Sequence, residues 1–226
     1  MTVELKYYGH ACFGIEGGGA TLLIDPFLTD NPQAAISADE VEADYILVSH
    51  GHGDHLGDAV AIAQRTGATI VANFEICNYC EAQGCKVHPM HIGGGWDFPF
   101  GRVKLTIAHH GSSLPDGSYG GNPAGLLLTI DSKTVYHAGD TGLFYDMKLI
   151  GEEDVDVAIL PIGDNFTMGP NDALRAVKLI DPLVVIPIHY NTFDLIKQDP
   201  EAFAKKVTAE TSSQCVVLKP GETFTL

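Results

Sequence analysis

Short apolar runs, many of them rich in valine and isoleucine, recur along the chain. Runs of this length and composition are typical of β-strands. Several of them are continuously apolar, which indicates sheets that are covered on both faces. The predicted strands are 21–25, 45–49, 69–72, 103–108, 125–131, 134–139, 157–162 and 183–188.

The segments between these runs show the apolar periodicity of amphipathic helices. Two of them end near Gly67 and Gly84, as helices commonly do. The number of strands favours two sheets over one, and layers of helix, sheet, sheet and helix would cover both faces of each sheet. The predicted helices are 57–67, 74–84, 171–181 and 200–210.

The composition fits one globular domain spanning residues 1–226. Apolar residues make up 45% of the chain and charged residues 19%, and a chain of this length can bury a core without disulfides. The odd number of cysteines, five, argues against a disulfide framework. The first ten residues show no secretory signal, and no apolar run reaches the roughly 18 residues of a membrane span. We therefore expect a cytoplasmic protein without a membrane segment.

The formal net charge is −16, and no cluster of basic residues is visible. Both features argue against a nucleic-acid partner. We expect a small-molecule substrate, and a homo-oligomer remains open. A bound metal would reverse the local electric field, so the acidic composition does not exclude an anionic substrate.

Histidine or aspartate follows four of the predicted strands directly. Ligands of α/β proteins gather at the carboxyl ends of strands, and packing alone does not call for imidazole at these positions. The residues concerned are His50, His52, Asp54 and His55 after 45–49, His109 and His110 after 103–108, Asp140 after 134–139, and His189 after 183–188.

The spacing within the first of these groups suits two metal ions. His50 and His52 are two residues apart, which places both side chains on one side of an extended segment. Asp54 and His55 would open the following helix and project to a different point. Neutral imidazole and carboxylate are good ligands for divalent metals such as zinc.

The segment HGHGDH at 50–55 resembles the His-x-His-x-Asp-His signature of the metallo-β-lactamase superfamily. The later segments AHHGSS, YHAGDTG and PIHY match the ligand motifs of that superfamily in order. With 7–16, 22–32 and 160–170, nearly the whole chain looks like its branch of uncharacterised metal-dependent hydrolases, related to ascorbate-phosphate lactonases. The resemblance implies a four-layer αββα sandwich of two mixed β-sheets flanked by helices, with a dinuclear metal site between the sheets.

The resemblance also implies the metal ligands. It favours His110 over its neighbour His109, because the ligand of the family stands directly before a small residue. Zinc is the favoured metal, with manganese, iron and nickel as alternatives. The implied ligands are His50, His52 and His110 for the first metal, Asp54, His55 and His189 for the second, and Asp140 as the bridge between them.

Two metals at such a site can hold a water molecule and lower its pKa, which makes hydroxide available as the nucleophile. Asp54 would orient that hydroxide or relay a proton. The sequence thus predicts a hydrolase acting on an ester, lactone or phosphoester bond of a small substrate. The alternatives are a phosphodiesterase or nuclease on the same fold, a di-iron redox protein, and a binding protein with a vestigial metal site.

Other residues are candidates for substrate contact or for support of the metal ligands. Cys77, Cys80 and Cys85 lack the second pair that a structural zinc site needs, so we interpret them as buried thiols of a helix. His88 and His91 are interpreted as loop or structural residues, and His137 as a packed residue of a strand. The candidates are His10, Asp25, Asn165, Phe166, Thr167 and Met168.

Overall fold

The computed structural model describes residues 2–226 and contains two seven-stranded sheets. The first sheet has the strand order β14-β1-β2-β3-β4-β5-β6 and the second the order β13-β12-β11-β10-β9-β8-β7. The first consists of β1 (Glu4–Gly9), β2 (Cys12–Gly17), β3 (Ala20–Ile24), β4 (Tyr45–Leu47), β5 (Thr69–Asn73), β6 (Lys86–Met90) and β14 (Thr223–Thr225). The second consists of β7 (Gly95–Phe98), β8 (Gly101–Ile107), β9 (Ala124–Ile130), β10 (Lys133–His137), β11 (Val157–Pro161), β12 (Val184–Ile188) and β13 (Gln214–Cys215).

Both sheets are mixed. In the first, β3 to β6 are parallel, whereas β14, β1, β2 and β3 pair antiparallel. In the second, β10 to β13 are parallel, whereas β7 to β10 pair antiparallel. The helices are α1 (Gly53–Leu56), α2 (Ala59–Thr66), α3 (Phe74–Glu81), α4 (Met147–Gly151), α5 (Pro170–Ile180) and α6 (Pro200–Glu210), with a short 3-10 helix at Asp194–Ile196.

Three buried apolar clusters correspond to three interfaces between layers. Strand β3 shows how one strand serves two of them: Leu22 and Ile24 pack between the sheets, whereas Leu23 packs under the helices of the first sheet. Successive side chains of a strand point to opposite faces, so a strand covered on both faces is continuously apolar. The third cluster lies between the second sheet and α4, α5 and α6. The predicted αββα arrangement is therefore confirmed.

The topology brings the carboxyl ends of several strands to one side of the molecule. In the first sheet β1, β3 and β4 run in the same direction, and in the second β8, β10 and β12 do so. At this side the backbone N–H of His189 donates to the carbonyl of His10 at 2.9 Å, which joins the two sheets. No helix among residues 2–226 has the length and apolar composition needed to cross a membrane.

Candidate metal centre

The HGHGDH segment leaves β4 and turns into the single-turn helix α1. His50 and His52 lie before that helix, and their Nε2 and Nδ1 atoms are 3.0 Å apart. The His110 ring lies 5.0 Å from each of these two rings. Each of the three histidines offers a nitrogen within 4.8 Å of the others, a spacing that one metal ion can bridge.

A second group lies beside the first and shares the buried carboxylate of Asp140. The Asp140 Oδ2 atom is 3.0 Å from His189 Nε2 and 3.5 Å from His110 Nε2, while its Oδ1 atom is 3.2 Å from His55 Nε2. Asp54 Oδ2 lies 3.8 Å from His189 Nε2. Asp140 thus contacts histidines of both groups. We call the seven residues together the candidate centre: His50, His52, Asp54, His55, His110, Asp140 and His189.

A buried carboxylate outside the candidate centre orients two of its histidines. Asp25 accepts from His55 Nδ1 at 2.8 Å and from the Ser49 hydroxyl at 2.6 Å. The same hydroxyl lies 3.0 Å from His50 Nδ1. These contacts leave the Nε2 atoms of His50 and His55 facing the centre, and such carboxylate–histidine pairs are the usual support of metal-binding imidazoles. Asp25 therefore contacts His55 directly and His50 through Ser49.

His10 is fully buried and contacts the same site. Its Nε2 lies 3.2 Å from Asp54 Oδ2, and its Nδ1 lies 2.9 Å from Thr192 Oγ1. Burial lowers the pKa of His10 to about 4, so the ring is neutral and one nitrogen can donate to Asp54. A neutral His10 therefore fixes the orientation of the Asp54 carboxylate.

Several residues at the site have backbone conformations that residues other than glycine rarely adopt. His10, Asp25 and His189 have φ values of 58°, 44° and 55°. Gly139 has φ 59°, and a Cβ there would lie 2.8 Å from Ser49 Cβ. Positive φ in non-glycine residues is uncommon and clusters at functional sites. At Gly139 the absence of a side chain allows Asp140 to approach the Ser49 segment closely.

Several buried polar atoms of the centre lack a hydrogen-bond partner. They include His55 Nε2, Asp140 Oδ1 and both ring nitrogens of His189. The distances of 3.0 and 3.2 Å to Asp140 are short enough for hydrogen bonds, but the atoms are not aligned along them. Ligands of a tetrahedral zinc, each about 2.0–2.1 Å from the ion, are separated in the same way. The residues therefore fit a bound divalent metal.

Electrostatics keeps both carboxylates of the centre ionised. Burial alone would raise their pKa values, but His55 and His189 hold the pKa of Asp140 well below its usual range. The hydrogen bond from His10 and the nearby His189 ring likewise outweigh burial and lower the pKa of Asp54. Burial opposes protonation of His189, yet Asp140 and Asp54 raise its pKa to about 9.

A cavity of 270 Å³ opens on the centre. Of the four loop residues proposed from the sequence, Phe166 is among its walls, but Asn165, Thr167 and Met168 are not. Met168 is 1% exposed and packs in the cluster under α5, so the expectation that it contacts substrate is corrected. Its backbone N–H donates to Thr141 O at 2.9 Å, which turns the side chain inward. The cavity is lined by His52, Asp54, His110, Asp140, Phe166, His189 and Phe193.

Three residues near the site were missed from the sequence. Ser49 links Asp25 to His50, Thr192 contacts His10, and Phe193 lines the cavity. The position of Ser49 directly before the histidine motif is the one signal that could have revealed it. The contact between His10 and Thr192 joins residues 182 positions apart, so no local sequence pattern predicts it.

The remaining histidines and cysteines lie outside the centre. His109 is exposed and stacks on Phe144. His137 is buried at the end of β10, with Nε2 2.9 Å from the Ala11 carbonyl, which agrees with its interpretation as a packed residue. His88 packs against the rings of Trp96 and Phe98. Four of the five free cysteines are buried, and they are Cys12, Cys77, Cys80 and Cys85.

Comparisons with known proteins place this site in a family. Residues 4–189 match the family described as "Beta-lactamase superfamily domain". A "UPF0173 metal-dependent hydrolase" of Desulforamulus reducens is 56% identical over 97% of this chain and 98% of its own, and one of Heliobacterium modesticaldum is 54% identical over 99% and 98%. The solved structure of Igni18, a metallo hydrolase from the archaeon Ignicoccus hospitalis, is 40% identical, with a TM-score of 0.92 over 100% of this chain and 99% of that one. The chain therefore belongs to the beta-lactamase superfamily and, within it, to the UPF0173 family of metal-dependent hydrolases.

Proposed function

We propose that this chain hydrolyses an ester, lactone or phosphoester bond of a small substrate with the help of two divalent metal ions. The observation that carries the proposal is the convergence of unpaired, buried donor atoms around Asp140. Leaving such atoms without partners in a folded protein is costly, and metal binding would satisfy them together. His50, His52 and His110 would hold one ion, Asp54, His55 and His189 the other, and Asp140 would contact both.

The donor set favours zinc, since imidazole and carboxylate are its ordinary ligands besides thiolate. Manganese, iron and nickel are the alternatives, because ligands of this kind also bind these ions. When bound, the ions would make hydroxide available near neutral pH and polarise the substrate's carbonyl or phosphoryl oxygen.

Residues of the chain would orient the attacking water and hold the metal ligands in place. Asp54 is 29% exposed and lines the cavity, whereas Asp140 is only 3% exposed. Asp54 is therefore the carboxylate that can accept a hydrogen bond from the attacking water and orient it. His10 holds Asp54 in place, and Asp25 with Ser49 holds His50 and His55. These supports pre-organise the site before substrate arrives.

The test combines elemental analysis with a substrate panel. Protein purified without chelator and supplemented with zinc or manganese should contain two metal ions per chain. It should hydrolyse at least one member of a panel of esters, lactones and phosphodiesters, and chelation should abolish that activity. A metal content that stays well below one per chain after supplementation would contradict the proposed centre.

The panel also separates the alternatives. Hydrolysis confined to the phosphodiesters would favour the phosphodiesterase or nuclease. Two bound metals without hydrolysis of any substrate would favour a binding protein with a vestigial site. Within residues 2–226, no lysine or arginine lines the cavity, so the cavity lacks the side chains that usually bind the phosphates of a nucleic-acid backbone.

A further inference from the structure

Two phenylalanine rings form the part of the cavity wall that the candidate centre does not supply. Phe166 and Phe193 line the cavity together with five residues of the centre. Their side chains are 52% and 39% exposed. Exposed phenylalanine leaves apolar surface in water at a cost of about 25 cal/mol per Å². Other exposed apolar side chains, such as Phe74 and Leu195, do not line this cavity, so the two rings are set apart by their position beside the candidate centre.

The loop that carries Phe166 is tightly constrained. Asp164 and Asn165, which precede it, have φ values of 60° and 46°. The N–H of Asp164 donates to Met168 O at 3.0 Å, and the N–H of Met168 donates to Thr141 O at 2.9 Å. Two consecutive non-glycine residues at positive φ add backbone strain. The loop thus holds the exposed Phe166 ring at the entrance of the site. Its Met168 N–H joins it to Thr141, the residue after Asp140.

The Phe193 ring is held in place by contacts with two other rings. Its ring lies 5.5 Å from the His10 ring and 6.3 Å from the Phe27 ring. The preceding residue, Thr192, contacts His10 Nδ1. The position of Phe193 is therefore tied to the residue that orients Asp54. An apolar group packed on Phe193 would lie next to the reacting atoms.

Among residues 2–226, no lysine or arginine lines this cavity to bind an anionic substituent. The basic residue nearest to Phe193 in sequence, Lys197, pairs with Asp194 at 2.7 Å. Outside the candidate centre, a phosphate or carboxylate remote from the scissile bond would face the two phenylalanine rings, whereas arginine or lysine normally binds such groups.

We propose that the substrate class is a neutral carboxylic ester or lactone that carries an aromatic or similarly bulky apolar group, packed against Phe166 and Phe193. This inference rests on the hydrolysis proposed above and narrows it to one class. The oxygen of water bonds to the carbonyl carbon, the acyl C–O bond breaks, and the leaving alcohol takes a proton. The 270 Å³ cavity lies just below the range of about 300–1,000 Å³ typical of ligand pockets, which suits a small substrate.

The experiment uses three methyl esters that share the leaving group methanol: methyl phenylacetate, methyl acetate and the methyl ester of phosphoglycolate. Acid release by the metal-loaded enzyme is followed by titration at constant pH. We expect kcat/KM for methyl phenylacetate to exceed the values for the other two esters by about tenfold or more, since an apolar pocket discriminates by 10–200-fold per added group.

Phe166→Ala and Phe193→Ala should each lower kcat/KM for methyl phenylacetate by about fivefold to tenfold, mainly through KM, because the ring contact is made in ground state and transition state alike. The kcat/KM for methyl acetate should change less than about twofold in either variant. The matched controls are Phe74→Ala, 54% exposed, and Leu195→Ala, 67% exposed, both outside the cavity. Both controls should behave as the unchanged chain does.

A binding measurement separates this inference from the hydrolysis itself. The amide N-methylphenylacetamide should bind more tightly than N-methylacetamide in calorimetry, and the Phe166 and Phe193 variants should lose that difference. A preference for the phosphoglycolate ester, or variants that match Phe74→Ala in every rate and affinity, would overturn the aromatic subsite. If no ester is cleaved although two metals are bound, the proposed hydrolysis fails, and the amide binding alone decides the subsite.

Discussion

The adjacent residues His109 and His110 have different surroundings, although both follow β8. The His110 ring lies 5.0 Å from the rings of both His50 and His52, and its side chain is 13% exposed. His109 is exposed and stacks 5.1 Å from the Phe144 ring, outside the candidate centre. Consecutive residues of an extended segment point to opposite sides, so only one of the pair can reach the centre.

From this geometry we predict opposite outcomes for the two alanine variants. His110→Ala should lose the metal of the first group and lower hydrolysis by more than about 100-fold, since removing a ligand exceeds the 10–100-fold typical of outer contacts. His109→Ala should keep both metals and most of the activity. Elemental analysis and rate measurement on both variants provide the check. If His109→Ala were inactive and His110→Ala kept its metals and activity, His109 and not His110 would be the metal ligand.

Asp140 is the carboxylate that both groups of histidines share. Its oxygens lie 3.0–3.5 Å from the Nε2 atoms of His55, His110 and His189. It is 3% exposed and ionised. A buried anion between imidazoles offsets the charge of two closely spaced cations, which a neutral side chain cannot do.

We predict that Asp140→Asn weakens the second metal most, because that site has fewer imidazoles, and lowers turnover by about 100-fold or more. Asparagine keeps the shape but offers one oxygen and an N–H donor in place of the second. Metal content is measured beside hydrolysis rate, with circular dichroism as the control for folding. If Asp140→Asn keeps two metals and normal turnover, Asp140 does not bridge the ions.

At the scale of the elements, eight of the ten interior strands were predictable and the four edge strands were not. All eight predicted strands exist, but β6, β7, β13 and β14 were missed, and these are the four edges of the two sheets. Edge strands are short and partly exposed, so they lack the apolar run that marks a buried strand. The hairpin of β1 and β2 was also absent from the predicted set, since glycine and charged residues interrupt it.

The same reasoning explains how much of the site could be predicted. The residues of the candidate centre were predicted because each follows a buried strand or stands in the HGHGDH motif, and the family resemblance favoured His110 over His109. Ser49, Thr192 and Phe193 were missed because serine, threonine and phenylalanine are ordinary in loops, and their partners are set by long-range packing. Phe166 was grouped with Asn165, Thr167 and Met168 because the sequence does not tell which residue of a loop faces the cavity.

Helix α3 carries two cysteines whose spacing matches a redox motif but whose environment does not. Cys77 and Cys80 are fully buried against the first sheet. Burial raises the pKa of each thiol to about 12. Only the thiolate is nucleophilic, and its fraction falls about tenfold for each pH unit below the pKa. Both thiols should therefore be inert in the folded protein at pH 8.

Alkylation with iodoacetamide at pH 8 tests this. We expect Cys77 and Cys80 to stay unmodified in the native protein and to react fully in guanidinium, where thiol pKa values return to about 8.5. Peptide mass spectrometry assigns each site, and the unfolded chain is the control for reactivity. Native labelling at the rate of the unfolded chain would show that the pair is accessible and would reopen a redox role.

At the scale of the whole molecule, the candidate centre joins the two sheets. His50, His52, Asp54 and His55 follow β4 of the first sheet, whereas His110, Asp140 and His189 follow strands of the second. A metal held by ligands from both sheets binds the folded chain and not the unfolded one. Such a ligand stabilises the fold by about 4 kcal/mol when its concentration is 1,000 times its Kd.

Metal removal should therefore lower the melting temperature. One kcal/mol shifts Tm by about 2–4 °C in a chain of this size, so chelation should lower Tm by roughly 10 °C or more. The three apolar clusters lie outside the centre, so circular dichroism at 25 °C should stay native. Scanning calorimetry before chelation, after it and after zinc is restored measures the effect. Chelation should lower the Tm of His109→Ala as much as that of the unchanged chain, whereas it should lower the Tm of Asp140→Asn only slightly. An unchanged Tm in protein shown to have lost its metals would mean that the ions do not hold the two sheets together.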